Sequence, residues 1–220
     1  MHRSCLSFIC LGVVAACGPE APPEAPALPT FTGDLVLVDD GAMDPGFSSF
    51  RDSLRAIVVR RDTTALLAVV AEGARLSYDD APAGPDGFRQ SWFAETRPDT
   101  VWTVLARLLD GGSVDEDGAV TIPSVAALWP EDLDPATHVS VPGLEVPALA
   151  APGGATLAHV TETALPITGA PSRGWQPVRL PDGRQAVIHA DEVLSPLGHR
   201  AVFWDDGDGW RLRSFLSDES

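Results

Sequence analysis

The sequence predicts an α+β unit followed by a small all-β unit, with a terminal hairpin that returns to complete the first unit's sheet. Three observations point there. After Asp44-Pro45 the apolar residues recur at helical spacing. Between 137 and 196 short apolar runs alternate between Gly and Pro punctuation, and two more such runs flank the acidic turn Asp205–Gly209. Helices and strands mixed without regular alternation imply α+β rather than a doubly wound sheet.

Composition narrows the function classes. The 220 residues carry Lys+Arg 15 against Asp+Glu 31, a formal charge of -16 that repels polyphosphate and excludes nucleic acid as a partner. Every basic residue is Arg, so Schiff-base chemistry and a P-loop lysine are excluded too. With 45% hydrophobic residues the chain can bury a real core.

The first sixteen residues hold Arg3 and an apolar stretch from Leu6 to Ala16, which reads as a signal peptide too short to stay as a membrane span. All three cysteines, Cys5, Cys10 and Cys17, lie in the first seventeen residues, so the folded part has neither a disulfide nor a cysteine metal site. Val14-Ala15-Ala16-Cys17 resembles the lipobox of bacterial lipoproteins. That resemblance implies lipidation of Cys17 and attachment to a membrane through the lipid alone. Gly18, where the family uses Asp as an inner-membrane signal, implies sorting to the outer membrane, facing the periplasm. Residues 17–43, opening with GPEAPPEAPALPT, read as an extended spacer, with one β-like run from Leu35 to Val38.

The first folded unit spans 44–135. Asp44 caps a helix with Pro45 at its first position and Phe47, Phe50, Leu54, Ile57 and Val58 on one face. Asp62 caps a second helix, TTALLAVVA, for which Gly73 is the expected left-handed stop. ARLSY follows as a strand, then the turn-rich DDAPAGPDG, two helices over FRQSWF and VWTVLARLLDGG, and a strand over AVTIPSVAALW that Pro123 weakens. An amphipathic helix, Arg-Asp, a short helix and a strand in succession resemble the start of cone-shaped α+β folds of the nuclear transport factor type. Such folds can enclose a ligand pocket or an Asp-His pair, but residues 44–135 contain no His.

The second unit spans 137–196. Val139, Val141, Leu144 and Val146, then Leu157 and Val160, then Leu165 and Ile167 describe short strands. Trp175 to Leu180 and Gln185 to His189 form a hairpin, for which Pro181-Asp182-Gly183-Arg184 predicts a two-residue turn, and Pro177 marks its first strand as an edge. The runs VPGLEVPALAAPGG, GWQPVRLPDGR and VIHADEVLS resemble the bacterial SH3-like domain, a small β-barrel of cell-wall hydrolases and envelope lipoproteins. The resemblance covers about sixty residues and implies an all-β SH3-like barrel that binds peptidoglycan peptide or an envelope protein. Glu145 and Ala148 stand where the family's opening motif has Asn and Arg, and Ala186-Val187 where it has Trp. The candidate ligand-binding residues are Trp175, Arg179, Arg184 and His189. Each also has a plain reading: Trp175 as barrel packing, the arginines as partners of Asp182 and Glu192, and His189 as a capping group.

Residues 197–220 supply the final hairpin, with Val202 to Trp204 before the acidic turn and Trp210, Leu212 and Phe215 after it. Asp206–Gly209 and Asp115–Gly118 carry the D-x-D-G or D-E-D-G fragment of calcium loops. The first and twelfth loop positions hold Ser113 and Ser124, or Trp204 and Phe215, so both read as solvated turns and no metal is expected. No nucleophile motif, zinc motif or phosphate loop occurs, and no cofactor or catalytic residue is assigned. Trp92, Trp102, Trp129 and Trp204 are candidates for an interface patch, with burial the default. Two functions stay open: a non-catalytic, membrane-anchored envelope lipoprotein whose barrel binds peptidoglycan or a protein, and an α+β pocket protein, ligand-binding or weakly enzymatic, with the barrel as accessory.

Overall fold

A computed structural model describes residues 27–78, 83–93 and 100–217. The signal peptide, Cys17 and the start of the spacer lie outside the described residues. The spacer is shorter than its Pro-rich composition suggests. Strand β1 (Thr30–Thr32) pairs in parallel with residues 159–161, and Leu35 N donates to the Glu162 carbonyl, so the second half of the expected spacer belongs to the fold.

Helix α1 (Pro45–Arg60) starts where the Asp44 carboxylate accepts hydrogen bonds from Gly46 N and Phe47 N, at 2.6 and 2.9 Å. It ends at Arg61 in the left-handed region. Asp62 accepts from Ala65 N and caps α2 (Thr63–Val69). Here the Gly73 stop fails. The helix ends at Val69, and β2 (Val70–Arg75) follows directly with Gly73 inside it, starting four residues before the strand read from ARLSY. Val69 and Val70 are β-branched and Val70 finds a strand partner, so pairing overrides the local helix pattern. Helices α3 (Gly84–Trp92) and α4 (Thr100–Asp110) follow, then the tight hairpin of β3 (Val114–Glu116) and β4 (Ala119–Ile122). Asp117 and Gly118, at φ 54° and 83°, make its turn. Pro123 ends β4, having no N–H for a ladder.

The β unit contains β5 (His138–Val141), β6 (Val146–Leu149), β7 (Thr156–Thr161), β8 (Thr163–Pro166), β9 (Trp175–Arg179) and β10 (Gln185–His189). One five-stranded sheet runs β1-β7-β6-β10-β9, with β9 at its edge, and β5 pairs with β8 alone. Among the described residues these ladders stay open and do not close into a barrel. Single bridges join Ile167 to Val178 and Ser140 to Leu194, and one core of Val141, Val160, Leu165, Val178 and Ile188 fills the space between the sheets. The β9–β10 connection is a three-residue loop rather than the two-residue turn expected. Gly183 N donates to the Leu180 carbonyl around Pro181-Asp182, Gly183 takes φ 88°, and Leu180 N donates to the Arg184 carbonyl.

The chain then returns. Strands β11 (Arg200–Asp205) and β12 (Trp210–Leu216) lie between β4 and β2, giving the order β2-β12-β11-β4-β3. Ala201 pairs with Ile122, so the chain leaves this sheet and re-enters it at neighbouring points. The helices cover one face of the sheet. Phe47 meets Phe203 at 5.7 Å and Trp210 at 4.9 Å, while Phe88 meets Phe215 at 5.6 Å. Each buried Phe contributes on the order of 2–3 kcal/mol. Trp102 is buried, Trp92 and Trp129 are half-buried, and Trp204 is exposed on the other face, so the four do not form one patch.

A polar tie holds the segment before α1. Asp39 Oδ1 accepts from Arg51 Nη1 at 2.6 Å and from the Ser113 hydroxyl at 2.5 Å, and Ser113 Oγ accepts from Gly41 N at 2.9 Å. Burial pushes the Asp39 carboxyl up, but the hydrogen bonds from Arg51 and Ser113 and the nearby charges of Arg51 and Arg55 outweigh it and hold it below 3.8.

Two outcomes follow from this architecture. Removing residues 199–220 takes the middle strands from the sheet, so the helical circular-dichroism signal should lose its cooperative thermal transition; an unchanged transition would contradict the sheet order. Asp39→Asn leaves the buried Arg51 without its anionic partner and should cost roughly 2–3 kcal/mol in urea denaturation at pH 7. Because the folded-state pKa is depressed, the wild-type advantage is full above the unfolded value, near 4, and is lost as pH falls through the folded value. The gap between the two proteins should therefore stay level from pH 7 to about 5 and narrow below about 4.

Candidate functional site

Alternation along β9 and β10 sorts the predicted site residues. Gln176, Val178, Ala186 and Ile188 point into the core, so Trp175, Pro177, Arg179, Gln185, Val187 and His189 share the outward face. Trp175 stands opposite His189 in the ladder, and the rings meet edge to face at 5.2 Å and 83°. Gly174, at φ 81°, lets the chain turn into β9 at the Trp175 end. Arg179 is exposed at the other end of the same face and makes no hydrogen bond or ion pair among the described residues. Three of the four predicted residues thus lie on one surface.

Arg184 is the exception. It sits in the hairpin loop, where Nε and Nη2 bind Asp182 Oδ2 at 2.7 and 2.6 Å and Nη1 reaches the Leu157 carbonyl at 3.4 Å. The hydrogen bond from Arg184 holds the Asp182 carboxyl below its ordinary range. This pair organises the loop and spends the Arg184 fork within the chain. His189 caps the short helical turn Ala190–Glu192, its Nδ1 accepting from Asp191 N at 3.4 Å. Its ring remains in contact with Trp175.

Among the described residues no group of three or more His, Cys, Asp or Glu side chains is placed to hold a metal ion. No helix of the described residues is long and apolar enough to cross a membrane. The acidic turns are occupied by their own backbone: Asp205 Oδ1 accepts from Gly207 N and Gly209 N, and Asp115 Oδ1 from Gly118 N. The helix-covered side of the α+β sheet is filled by Phe47, Phe88, Leu105, Phe203 and Phe215.

A cleft that the sequence did not reveal lies elsewhere, between α1 and α4 on one side and the loops at Pro142-Gly143 and Asp191-Glu192 on the other. Arg107 spans from α4 to the β unit, with Nη2 2.9 Å from Asp191 Oδ1. Gly111 makes close packing possible beside it, since a Cβ there would lie 2.5 Å from Pro123 Cβ and 3.1 Å from Leu194 Cδ1. At Gly112 the backbone has φ 70° and a Cβ would strike the Val38 carbonyl oxygen. The Gly111-Gly112 pair was legible as a helix stop; its second use, seating the β unit against α4, depends on Leu194, more than eighty positions away.

No family model, no curated protein and no solved structure matches the chain. The arrangement of its own side chains therefore carries the functional reading.

Proposed function

We propose that this protein is a non-catalytic lipoprotein of the cell envelope, anchored through Cys17, whose 137–196 unit is an SH3-like barrel that binds peptidoglycan peptide. The observation that carries the reading is the outward face of β9 and β10, where the Trp175–His189 ring pair, Pro177 and the unpaired Arg179 lie together. A ring platform beside a guanidinium suits an extended peptide with a carboxylate: the rings take the chain by stacking and Arg179 takes the charge. The Ile167–Val178 bridge supports the barrel reading, since it brings the β8 strand to the edge of β9 around a shared core. The β unit is also less acidic than the α+β unit, with Arg173, Arg179 and Arg184 against five carboxylates, so an anionic wall polymer meets less repulsion there. The alternative, a pocket within the α+β unit, loses ground because aromatic side chains fill its helix-covered core.

The binding half is tested by co-sedimentation of the mature chain with insoluble peptidoglycan. Wild type should be retained, and Trp175→Ala with Arg179→Ala should lower the retained fraction at least fivefold with an unchanged melting temperature. No retention, or equal retention of the double variant, would overturn it. The anchoring half predicts that Cys17→Ser moves the protein from the membrane fraction to the soluble periplasmic fraction; wild type and variant fractionating alike would count against the lipid.

A further inference from the structure

The cleft between the α+β layer and the β unit has a volume of about 670 Å³, the size of a small molecule or a short peptide. Its apolar lining comes from both sides. Val58 and Trp102 are core residues that turn an edge toward it, Leu194 approaches from the β unit, and Val59 lines it while remaining 83% exposed. Val59 therefore belongs to neither core. A β-branched residue on a helix surface gains nothing from its own helix, so its apolar area is available to a ligand.

Charge decides what kind of ligand. Two arginines and three carboxylates line the cleft: Arg61, Arg107, Asp110, Asp191 and Glu192. Arg107 is neutralised by Asp191 at 2.9 Å, Asp110 by Arg55 at 3.2 Å, and Arg61 is engaged in an interaction of its own. Glu192 is left without a hydrogen bond or ion pair among the described residues. Its Oε2 stands on the Gly143 side of the cleft, 3.8 Å from where a Gly143 Cβ would be. The chain as a whole carries a formal -16, a background field that favours a cationic ligand over an anionic one. An anion would meet Arg107 already paired with Asp191, and at Glu192 a carboxylate with no counter-charge among the described residues.

We propose that this cleft binds an organic cation carrying an apolar body, of the size of a basic tripeptide, with the cation against Glu192 and the apolar part against Val59, Ala106 and Leu194. The site is separate from the outward face of β9 and β10 and does not rest on the peptidoglycan reading. Because walls from both units contact the ligand, occupation also clamps the two units together across the Arg107–Asp191 pair.

The test is calorimetric titration of the mature chain at low ionic strength with acetyl-Leu-Leu-Arg amide and acetyl-Leu-Leu-Glu amide. The Arg peptide should bind at least tenfold more tightly than the Glu peptide. Glu192→Gln should weaken the Arg peptide roughly fivefold, the size of one partly screened charge contact. Ala106→Trp, which fills the cleft from an exposed helix position, should abolish binding. Both positions are exposed, so neither variant should shift the melting temperature by more than about two degrees. Trp175→Ala with Arg179→Ala should leave the titration unchanged, which keeps this site apart from the outward face. Equal binding of the two peptides, no response to Glu192→Gln and Ala106→Trp, or no binding of the Arg peptide at millimolar concentration would overturn the proposal.

Discussion

The structure depends on one pairing constraint: two of the three interior strands of the α+β sheet, β11 and β12, come from the last described residues of the chain. Without β11 and β12, strand β2 has no neighbour and the β3–β4 hairpin stands alone, with nothing beneath α1 and α4. Phe203, Leu212 and Phe215 supply the side chains on which Phe47 and Phe88 pack. The register sets a second condition. Ala201 opposite Ile122 means that everything from 123 to 200 must begin and end within a strand spacing, which the β unit meets because its own ladders bring its ends together.

Charge is distributed with the same economy. Several carboxylates occupy turns and caps, where Asp44, Asp62, Asp115 and Asp205 accept backbone N–H bonds and need no cation. The arginines do the longer work: Arg51 ties Asp39 to α1, Arg55 joins α1 to the end of α4 through the Leu109 carbonyl and Asp110, and Arg107 reaches the β unit. A planar fork can hold two partners at once where an ammonium holds its contacts loosely, which suits a chain without lysine. Glu192 and Arg179, whose side chains make no hydrogen bond or ion pair among the described residues, stand on the two candidate binding surfaces.

Local signals were legible where the physics is local. Asp44-Pro45 and Asp62 cap helices as their side chains dictate, Gly111 ends α4, and the alternation in 138–189 produces strands at Val139, Val141, Val146, Leu157, Val160 and Leu165, while Leu144, read with them, falls exposed in the loop between β5 and β6. The failures share a cause. Thr30–Thr32 becomes a strand only because residues 159–161 offer a free edge, and Val70 leaves its helix for Leu212, more than 140 positions away. Gly73 was a plausible stop on local grounds and was overruled by that pairing. Of the site, the hairpin placed Trp175, Arg179 and His189 by simple alternation. The cleft was invisible, because Val59 and Glu192 are brought to one space by packing between units and by no pattern along the chain.

The nested order of the strands has a consequence for how the protein is made. A chain emerging from its N-terminus completes residues 30 to 194 first, and the ladders of the β unit all close within that span. The outer sheet is left with a two-strand gap until the final hairpin is released. Assembly therefore runs from the inside outward, and the helices α1 and α4, synthesised early, wait with their apolar faces uncovered until β11 and β12 arrive behind the β unit.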